Sequence, residues 1–339
     1  MTQEQKDILL KAGIGDATDV SRYGSGHINE TYKVETASGT RYILQRVNTS
    51  IFDERLLKAN VMRVTEFLKA KGVKSLEVVA YESPWRVYKF LEGYASHDVV
   101  EEPHQAYDVG RAFAKFQNDL ADIPPPRLGD IIPKFHDTPD RLRQLDEAIA
   151  RDVKGRLAGV GPELAFVDTW RERAGRIVGL MASGDIPERV THNDTKINNV
   201  MIDAEGNSVV IDLDTTMPGS ALFDFGDMVR TATAAAAEDE ADLSKVFSKR
   251  EYFEALARGY LEGAKFLNAA ERENLVFSGM LATFEVGIRF LADYLAGDTY
   301  FHTAYPDHNL VRARNQFQMV KSLESQRSDY ESIVKSFSV

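Results

Sequence analysis

The sequence predicts an α+β protein of two lobes, a small β-rich one followed by a larger, mainly helical one. Three observations carry that expectation. The first ninety residues or so hold short β-branched and aromatic segments set apart by small-polar turns. After Gly93, apolar residues recur at helical spacing almost to the end. One short hairpin pattern, Val200-Met201-Ile202 and Val209-Val210-Ile211 around Ala204-Glu205-Gly206-Asn207, interrupts the helical part. The lobes are expected at 1–92 and 93–339.

Taken in order, Thr31 to Glu35 and Arg41 to Val47 pair as a hairpin across Thr36-Ala37-Ser38-Gly39-Thr40. Leu57, Val61, Val64 and Phe67-Leu68 mark a helix that Gly72 stops. Leu76 to Ala80 and Trp85 to Leu91 are each short enough for a strand. Val109, Phe113, Phe116 and Leu120 share one face of a helix that ends before Pro124-Pro125-Pro126, a stiff connector. Val167, Trp170, Ala174, Ile177 and Met181 mark another helix, and the stretch from Arg250 onward is mostly helix-patterned.

Composition removes several function classes. Of 339 residues, 43% are apolar and 27% charged, which is globular and sufficient for a buried core. Lys and Arg number 41 against 52 Asp and Glu, a net charge of −11. No long basic run offsets it, so neither nucleic acid nor an anionic membrane is an expected partner. The lack of cysteine excludes disulfides, thiolate nucleophiles and cysteine-ligated metals. The polar start, Met1-Thr2-Gln3-Glu4-Gln5-Lys6-Asp7, is wrong for a secretory signal, and the longest apolar runs are too short to span a bilayer. A cytoplasmic chain with no obligatory protein partner is expected.

The informative stretch is Arg189-Val190-Thr191-His192-Asn193-Asp194-Thr195-Lys196-Ile197-Asn198-Asn199, followed by the short hairpin and then Asp212-Leu213-Asp214. Asp194 and Asn199 precede the first strand, and Asp212 and Asp214 follow the second. Folding the hairpin brings these ends together, and converging carboxylates with an amide suit a hard, oxygen-loving Mg²⁺ that carries a phosphate. Any one of these residues alone is an ordinary turn former or cap. All of them at this spacing are not.

The pattern His-x-Asp-x-x-x-x-Asn, with an Ile-Asp thirteen residues after the Asn, resembles the aminoglycoside phosphotransferase and choline kinase superfamily. Thr191 to Lys196, Ile211-Asp212-Leu213-Asp214-Thr215 and Met217-Pro218-Gly219-Ser220 resemble its N-acetylhexosamine 1-kinase branch. So do Tyr42-Ile43-Leu44-Gln45, Arg86-Val87-Tyr88-Lys89-Phe90 and Arg289-Phe290-Leu291-Ala292-Asp293-Tyr294. The resemblance runs from about Tyr23 to about Arg314. It implies a bilobal protein-kinase-like fold, with nucleotide bound by 1–92 and catalysis and substrate binding in 93–339.

The resemblance also implies roles. Asp194 accepts or orients the proton of the attacking sugar hydroxyl, while Asn199 and Asp212 hold Mg²⁺ against the phosphates of ATP, the co-substrate. Phosphoryl transfer needs in-line positioning and charge neutralisation more than covalent help. Asp212 also faces the sugar. Asp214, two residues on along a strand, shares a face with Asp212 and is either a second metal contact or a substrate contact. Asp224-Phe225-Gly226 spells a kinase metal-binding tripeptide but comes twelve residues too late; Asp224 instead accepts backbone N–H groups of the catalytic loop. Little room for an activation segment remains between Asp212 and Asp224, which argues against a protein substrate.

For the nucleotide, the loop Tyr23-Gly24-Ser25-Gly26-His27-Ile28-Asn29 is expected over the phosphates, although Gly-x-Gly is by itself an ordinary turn. Asn29 stands where a third glycine is usual, and Gln45 stands where the third strand usually carries lysine. Phe90, Leu91 and Glu92 are expected to meet adenine as the hinge. For the sugar, the resemblance points to His27, Arg289 and Tyr300. An arginine in an apolar helical run often pairs with a carboxylate instead, here Asp212, Asp293 or Glu285, and Tyr300 reads equally as a rim aromatic. The sugar kinase is weighed against a kinase of another small alcohol (choline, homoserine or an aminoglycoside) and against a nucleotide-binding pseudokinase.

Overall fold

The computed structural model describes residues 1–24 and 28–337. The chain divides into two compact units, the first made of Met1–Ser96, Asp122–Pro133 and Val200–Pro218, the second of His97–Ala121, Lys134–Asn199 and Gly219–Val339.

The first unit begins with α1 (Gln3–Lys11), closed at its start by a Thr2/Gln5 capping box. Strands β1 (Ala17–Arg22), β2 (Glu30–Thr36) and β3 (Arg41–Arg46) follow, then α2 (Glu54–Ala70), β4 (Val78–Glu82) and β5 (Trp85–Lys89). They form one antiparallel sheet in the order β1-β2-β3-β5-β4. Alternation puts Val34, Leu44, Trp85 and Val87 on one face, where they pack with Ile8, Leu9 and Ile14 at the end of α1. The expected helix stops where Gly72 takes φ +69°, a left-handed conformation that glycine adopts without strain. Neither β1 nor α1 was signalled by the sequence pattern, because β1 is mostly polar and half-exposed.

Two-residue strand β6 (Ala95–Ser96) pairs with the later hairpin, which belongs to the same unit. The expected hairpin forms from Val200–Ile202 and Ser208–Val210, with Val200 opposite Val210. One expectation fails beyond it. Asp212 takes φ +56°, ψ +62°, and Leu213–Thr215 is a 3₁₀ turn, so Asp212 and Asp214 do not alternate along a strand. Asp212 is exposed while Asp214 is buried.

In the second unit, α3 (Pro103–Leu120) packs on α9 (Arg250–Gly263). A Cβ at Gly110 would meet the Leu256 carbonyl oxygen at 2.4 Å, so this close helix crossing requires the glycine. Helices α4 (Thr138–Arg151), α8 (Ala221–Ala232) and α11 (His308–Ser325) pack on the long α10 (Ala269–Ala296). Between α4 and α8, the single helix expected through Val167 to Met181 is three short ones: α5 (Gly161–Asp168), α6 (Arg171–Ala174) and α7 (Arg176–Ser183). Gly175, a poor helix former, sits at the second break, while Val167, Trp170, Ala174 and Ile177 are still buried. Helix α12 (Arg327–Ser336) closes the chain against α9.

The expectation of no membrane-length apolar segment needs correcting for α10. Its 28 residues pass the length and hydropathy test for a span, yet 83% of the most apolar window is buried inside this unit. The helix also carries Glu285, Arg289 and Asp293, so it reads as the unit's core helix.

Candidate active site

The loop that carries Asp194 follows Arg189–Thr191 in the second unit and is held by a buried carboxylate. Asp224, at the start of α8, accepts the His192 and Asn193 amides at 2.9 and 2.7 Å and a Gln117 side-chain N–H at 2.6 Å. Burial pushes its carboxyl above the usual range despite these donors. The buttressing role implied by the resemblance is therefore formed. The glycine of the tripeptide is explained by packing, since a Cβ on Gly226 would meet the Ser278 carbonyl oxygen at 2.4 Å. His192 is fully buried with its ring edge-on to Phe113 and Phe116. Asn193 takes φ +64°, which turns the chain before Asp194.

Asp194 and Asn199 are brought together. The Asn199 side-chain amide donates to the Asp194 carbonyl at 2.8 Å and to its Oδ2 at 3.1 Å. Lys196 Nζ lies 2.9 Å from Asp194 Oδ1, and the charge of Asp194 holds the lysine's pKa above its ordinary value. The Thr195 amide donates to Asp227 Oδ2 at 2.8 Å, and Arg230 pairs with Asp227 at 2.8 Å.

A second cluster in this unit surrounds Arg289. Its guanidinium lies 5.2 Å from the Phe135 ring centre, 5.6 Å from Phe301 and 6.0 Å from Tyr300. Arg141 lies 5.9 Å from the same Phe135 ring and donates to the Phe135 carbonyl at 2.7 Å. Burial and then the charge of Arg289 lower the Arg141 pKa. The carboxylates that sequence reasoning offered Arg289 from this unit are committed elsewhere. Asp293 accepts the amides of Thr299, Tyr300 and Phe301, each at 2.9 Å, together with the Asn309 side chain. Glu285 accepts His136 at 2.8 Å and the Thr138 hydroxyl at 2.6 Å. Burial opposes the Glu285 charge, but His136 and Thr138, with a smaller contribution from the charge of Arg289, more than offset it and hold the carboxyl below its ordinary range. His136 Nε2 also reaches the Asn193 carbonyl at 3.4 Å, so the Arg289 cluster is one residue removed from a contact with the Asp194 loop. Tyr300 is exposed at its rim.

In the first unit, β3 and β5 set Gln45 opposite Arg86. Gln45 donates to Thr31 at 2.9 Å and accepts from Arg86 Nε at 2.8 Å. Arg86 Nη2 pairs with Asp214 Oδ1 at 2.6 Å, and the two side chains are 1% and 4% exposed. Burial opposes the arginine's charge and Asp214 more than restores it, raising the pKa. Asn29, the residue in place of a third glycine, donates to Asp214 Oδ2 at 2.6 Å and accepts the Asn48 amide at 3.0 Å. In the expected hinge, Phe90 is half-buried under Arg41, its amide donating to the Arg41 carbonyl at 3.2 Å. Leu91 is buried, and Glu92 pairs through its side chain with Arg41. Gly24 takes φ +79°; Gly26 and His27 lie outside the described residues.

For a divalent cation, Asn199 and Asp212 offer an amide and a carboxylate oxygen, the donors that Mg²⁺ prefers. The Asn199 Nδ2 bonds to Asp194 leave its Oδ1 as the donor atom for a cation. Among the described residues no three His, Asp or Glu side chains form a closed metal cage. Mg²⁺ in phosphoryl-transfer sites relies on one or two protein ligands with phosphate and water, and each of these donors, Asn199 in the second unit and Asp212 in the first, is of a type that suits it. Sequence reasoning named Asp194 and Asn199 but missed Arg86, His136 and Arg141. Arg86 and His136 meet partners far along the chain and gave no local signal.

The described fold has close counterparts among solved structures. A microcompartment-associated aminopropanol kinase aligns with a TM-score of 0.64 at 18% identity, covering 94% of each chain. A choline/ethanolamine kinase family protein from Mesorhizobium loti aligns at 0.61 and 17% identity over 98% of each chain. The choline kinase LicA from Streptococcus pneumoniae aligns at 0.59 and 14% identity, covering 96% of this chain and 100% of that one. Identities this low carry the fold and nothing finer. Residues 19–269 match the family described as the phosphotransferase enzyme family. With an antiparallel-sheet lobe, a helical lobe and that match over more than half its length, the chain belongs to this family, the aminoglycoside phosphotransferase and choline kinase superfamily of small-molecule phosphotransferases.

Proposed function

We propose that the chain is an ATP- and Mg²⁺-dependent kinase of N-acetylhexosamines, moving the γ-phosphoryl group of ATP to the anomeric hydroxyl to give the α-1-phosphate. The observation that carries the sugar is the Arg289 cluster: two guanidinium groups sharing one phenyl ring, bordered by Phe301 and Tyr300. Guanidinium N–H groups donate to hydroxyl and acetamido oxygens, and aromatic faces accept the C–H face of a pyranose. A cationic alcohol such as choline, homoserine's ammonium form or an aminoglycoside meets like charge there. At about 4 Å such repulsion is worth on the order of 1–4 kcal/mol, enough to decide between substrates of similar size. The pseudokinase reading is disfavoured by the intact pairing of Asp194 with Asn199.

In this reading Asp194 takes the hydroxyl proton, and Arg289 and Tyr300 orient the ring, joined by His27. Asn199 and Asp212 hold Mg²⁺, which neutralises phosphate charge when bound. Gly24, Gly26 and the backbone at Phe90 to Glu92 serve the nucleotide. Gln45, bonded at both ends of its amide, supports Arg86. ADP release measured over N-acetylglucosamine, N-acetylgalactosamine, unacetylated hexoses, choline and homoserine tests the proposal. Turnover on an N-acetylhexosamine is the expected result, and turnover on choline alone overturns it. Asp194→Asn is expected to lower kcat by roughly 10²–10⁴-fold, the usual weight of a general base, with the fold retained; a near-normal rate removes Asp194 from that role.

A further inference from the structure

We infer that His136 is a positioning residue for Asp194, anchored by Glu285 and gripping the peptide from which the proposed base projects. The inference rests on the reading of Asp194 as base and assigns what sets the direction of its carboxylate. His136 Nδ1 lies 2.8 Å from Glu285 Oε1, and Nε2 lies 3.4 Å from the Asn193 carbonyl oxygen. That carbonyl belongs to the planar peptide joining Asn193 to Asp194, so whatever holds it also orients the bond from which Asp194 continues. The amide of the same peptide donates to His192 Nδ1 at 3.3 Å. The peptides on either side are fixed through their N–H groups, by Asp224 at Asn193 and by Asp227 at Thr195. Asn193 needs such support, because its left-handed φ of +64° persists only where the surroundings over-determine it.

The imidazole of His136 is itself locked. It stacks on Phe223 with ring centres 4.8 Å and planes 10° apart, and it meets Phe135 edge-on at 4.7 Å. Its side chain is 12% exposed, and that of Glu285 is fully buried. Both partners of the ring are acceptors, a carboxylate and a carbonyl, so the imidazole bonds both at once when each nitrogen carries a proton. A buried pair of this kind is a weak source of stability, since apolar side chains of similar volume often do as well. What apolar side chains do not supply is a donor for the Asn193 carbonyl.

Glu285 also stands one helical turn before Arg289 on α10. The proposed sugar contact and the anchor of His136 are therefore set by one helix, which refers the acceptor and the base to the same element. In-line attack tolerates little error there, because a misplacement of about 1 Å costs on the order of 10²-fold in rate.

Steady-state kinetics test this, with whichever acceptor of the panel above the wild-type protein uses. His136→Phe keeps the ring packing and removes both donors, but it leaves Glu285 buried without a cation. The decisive variant combines it with Glu285→Gln, which removes that charge and keeps an acceptor for the Thr138 hydroxyl. The melting temperature of the double variant is expected to lie above that of His136→Phe alone. Its kcat should stay on the order of 10–10²-fold below wild type, with KM for ATP and for acceptor little changed. In an Asp194→Asn background the same two substitutions should lower kcat no further, as for residues that act as a unit. Recovery of kcat together with the melting temperature, or a full additional loss in the Asp194→Asn background, overturns the role. A near-normal rate for Asp194→Asn alone removes the base, and the role of His136 with it. An inactive Asp194→Asn beside a normal double variant removes His136 only. Turnover on choline alone removes the sugar and leaves this comparison as it stands.

Discussion

Two arginines embedded in apolar elements meet opposite fates. Arg86 lies on β5, 1% exposed, and spends its charge on Asp214, its Nε on Gln45 and its flanks on the rings of Tyr81 and Tyr88. Arg289 lies on α10, only partly buried, and has aromatic neighbours but no carboxylate pair among the described residues. On sequence alone the two look alike, each a cation in an apolar run. The difference shows that the residue type does not mark a binding group. What marks it is whether the surrounding fold has already consumed the charge. A buried guanidinium paired with a carboxylate is part of the scaffold, whereas one set among aromatic rings without a carboxylate ion pair is the one we propose meets a ligand.

The largest effect that would break this comparison is on stability. Arg86→Met leaves Asp214 buried without its cation and should cost about 3–5 kcal/mol, read as a lower denaturation midpoint. A midpoint shift under about 1 kcal/mol, the weight of an exposed pair, would mean the pair is not buried in solution. Arg289→Ala should do the reverse. Its melting temperature should stay near wild type while the KM for N-acetylhexosamine rises roughly tenfold with kcat little changed, as for a group that binds ground and transition states alike. An unchanged KM removes Arg289 from the sugar site.

The smallest effect sharpens the comparison at the scaffold beside Arg141. Asp140 accepts from Arg143 and Gln144 and lies 3.4 Å from Lys134, and these partners hold its carboxyl down at about 2 against an ordinary 3.8. Its contribution is complete above its unfolded value and is lost as the pH falls from there towards 2. Urea midpoints measured between pH 4 and 2 should therefore drop less steeply for Asp140→Asn than for wild type. Parallel curves would mean that Asp140 gains nothing from its partners.

Much of the fold was legible because it is written in local periods. The hairpin at Val200 to Val210, the Arg41–Arg46 strand and α2 each follow from residues within one turn or one pleat of each other. The loop that bears Asp194 and Asn199 was legible for the same reason, since the two lie five residues apart; their hydrogen bond to each other was not foreseen. The misreadings also have local causes. Asp212 was placed on a strand by alternation, but its left-handed backbone turns the chain there, and no periodicity forecasts a single residue's φ. The Val167 to Met181 face was read as one helix because burial keeps the same spacing across Gly175 even where the helix breaks.

By itself the sequence determined the two-lobed α+β class, the family and the loop bearing the proposed base, since all of these reside in short-range spacing. Only the tertiary structure decided which charges are spent and which remain. His136 finds Glu285 across 149 residues, and Arg86 finds Asp214 on a turn at the far end of another hairpin. A charge is consumed by whatever lies within a few ångströms of it, and in a folded chain that neighbour is set by packing rather than by position along the sequence.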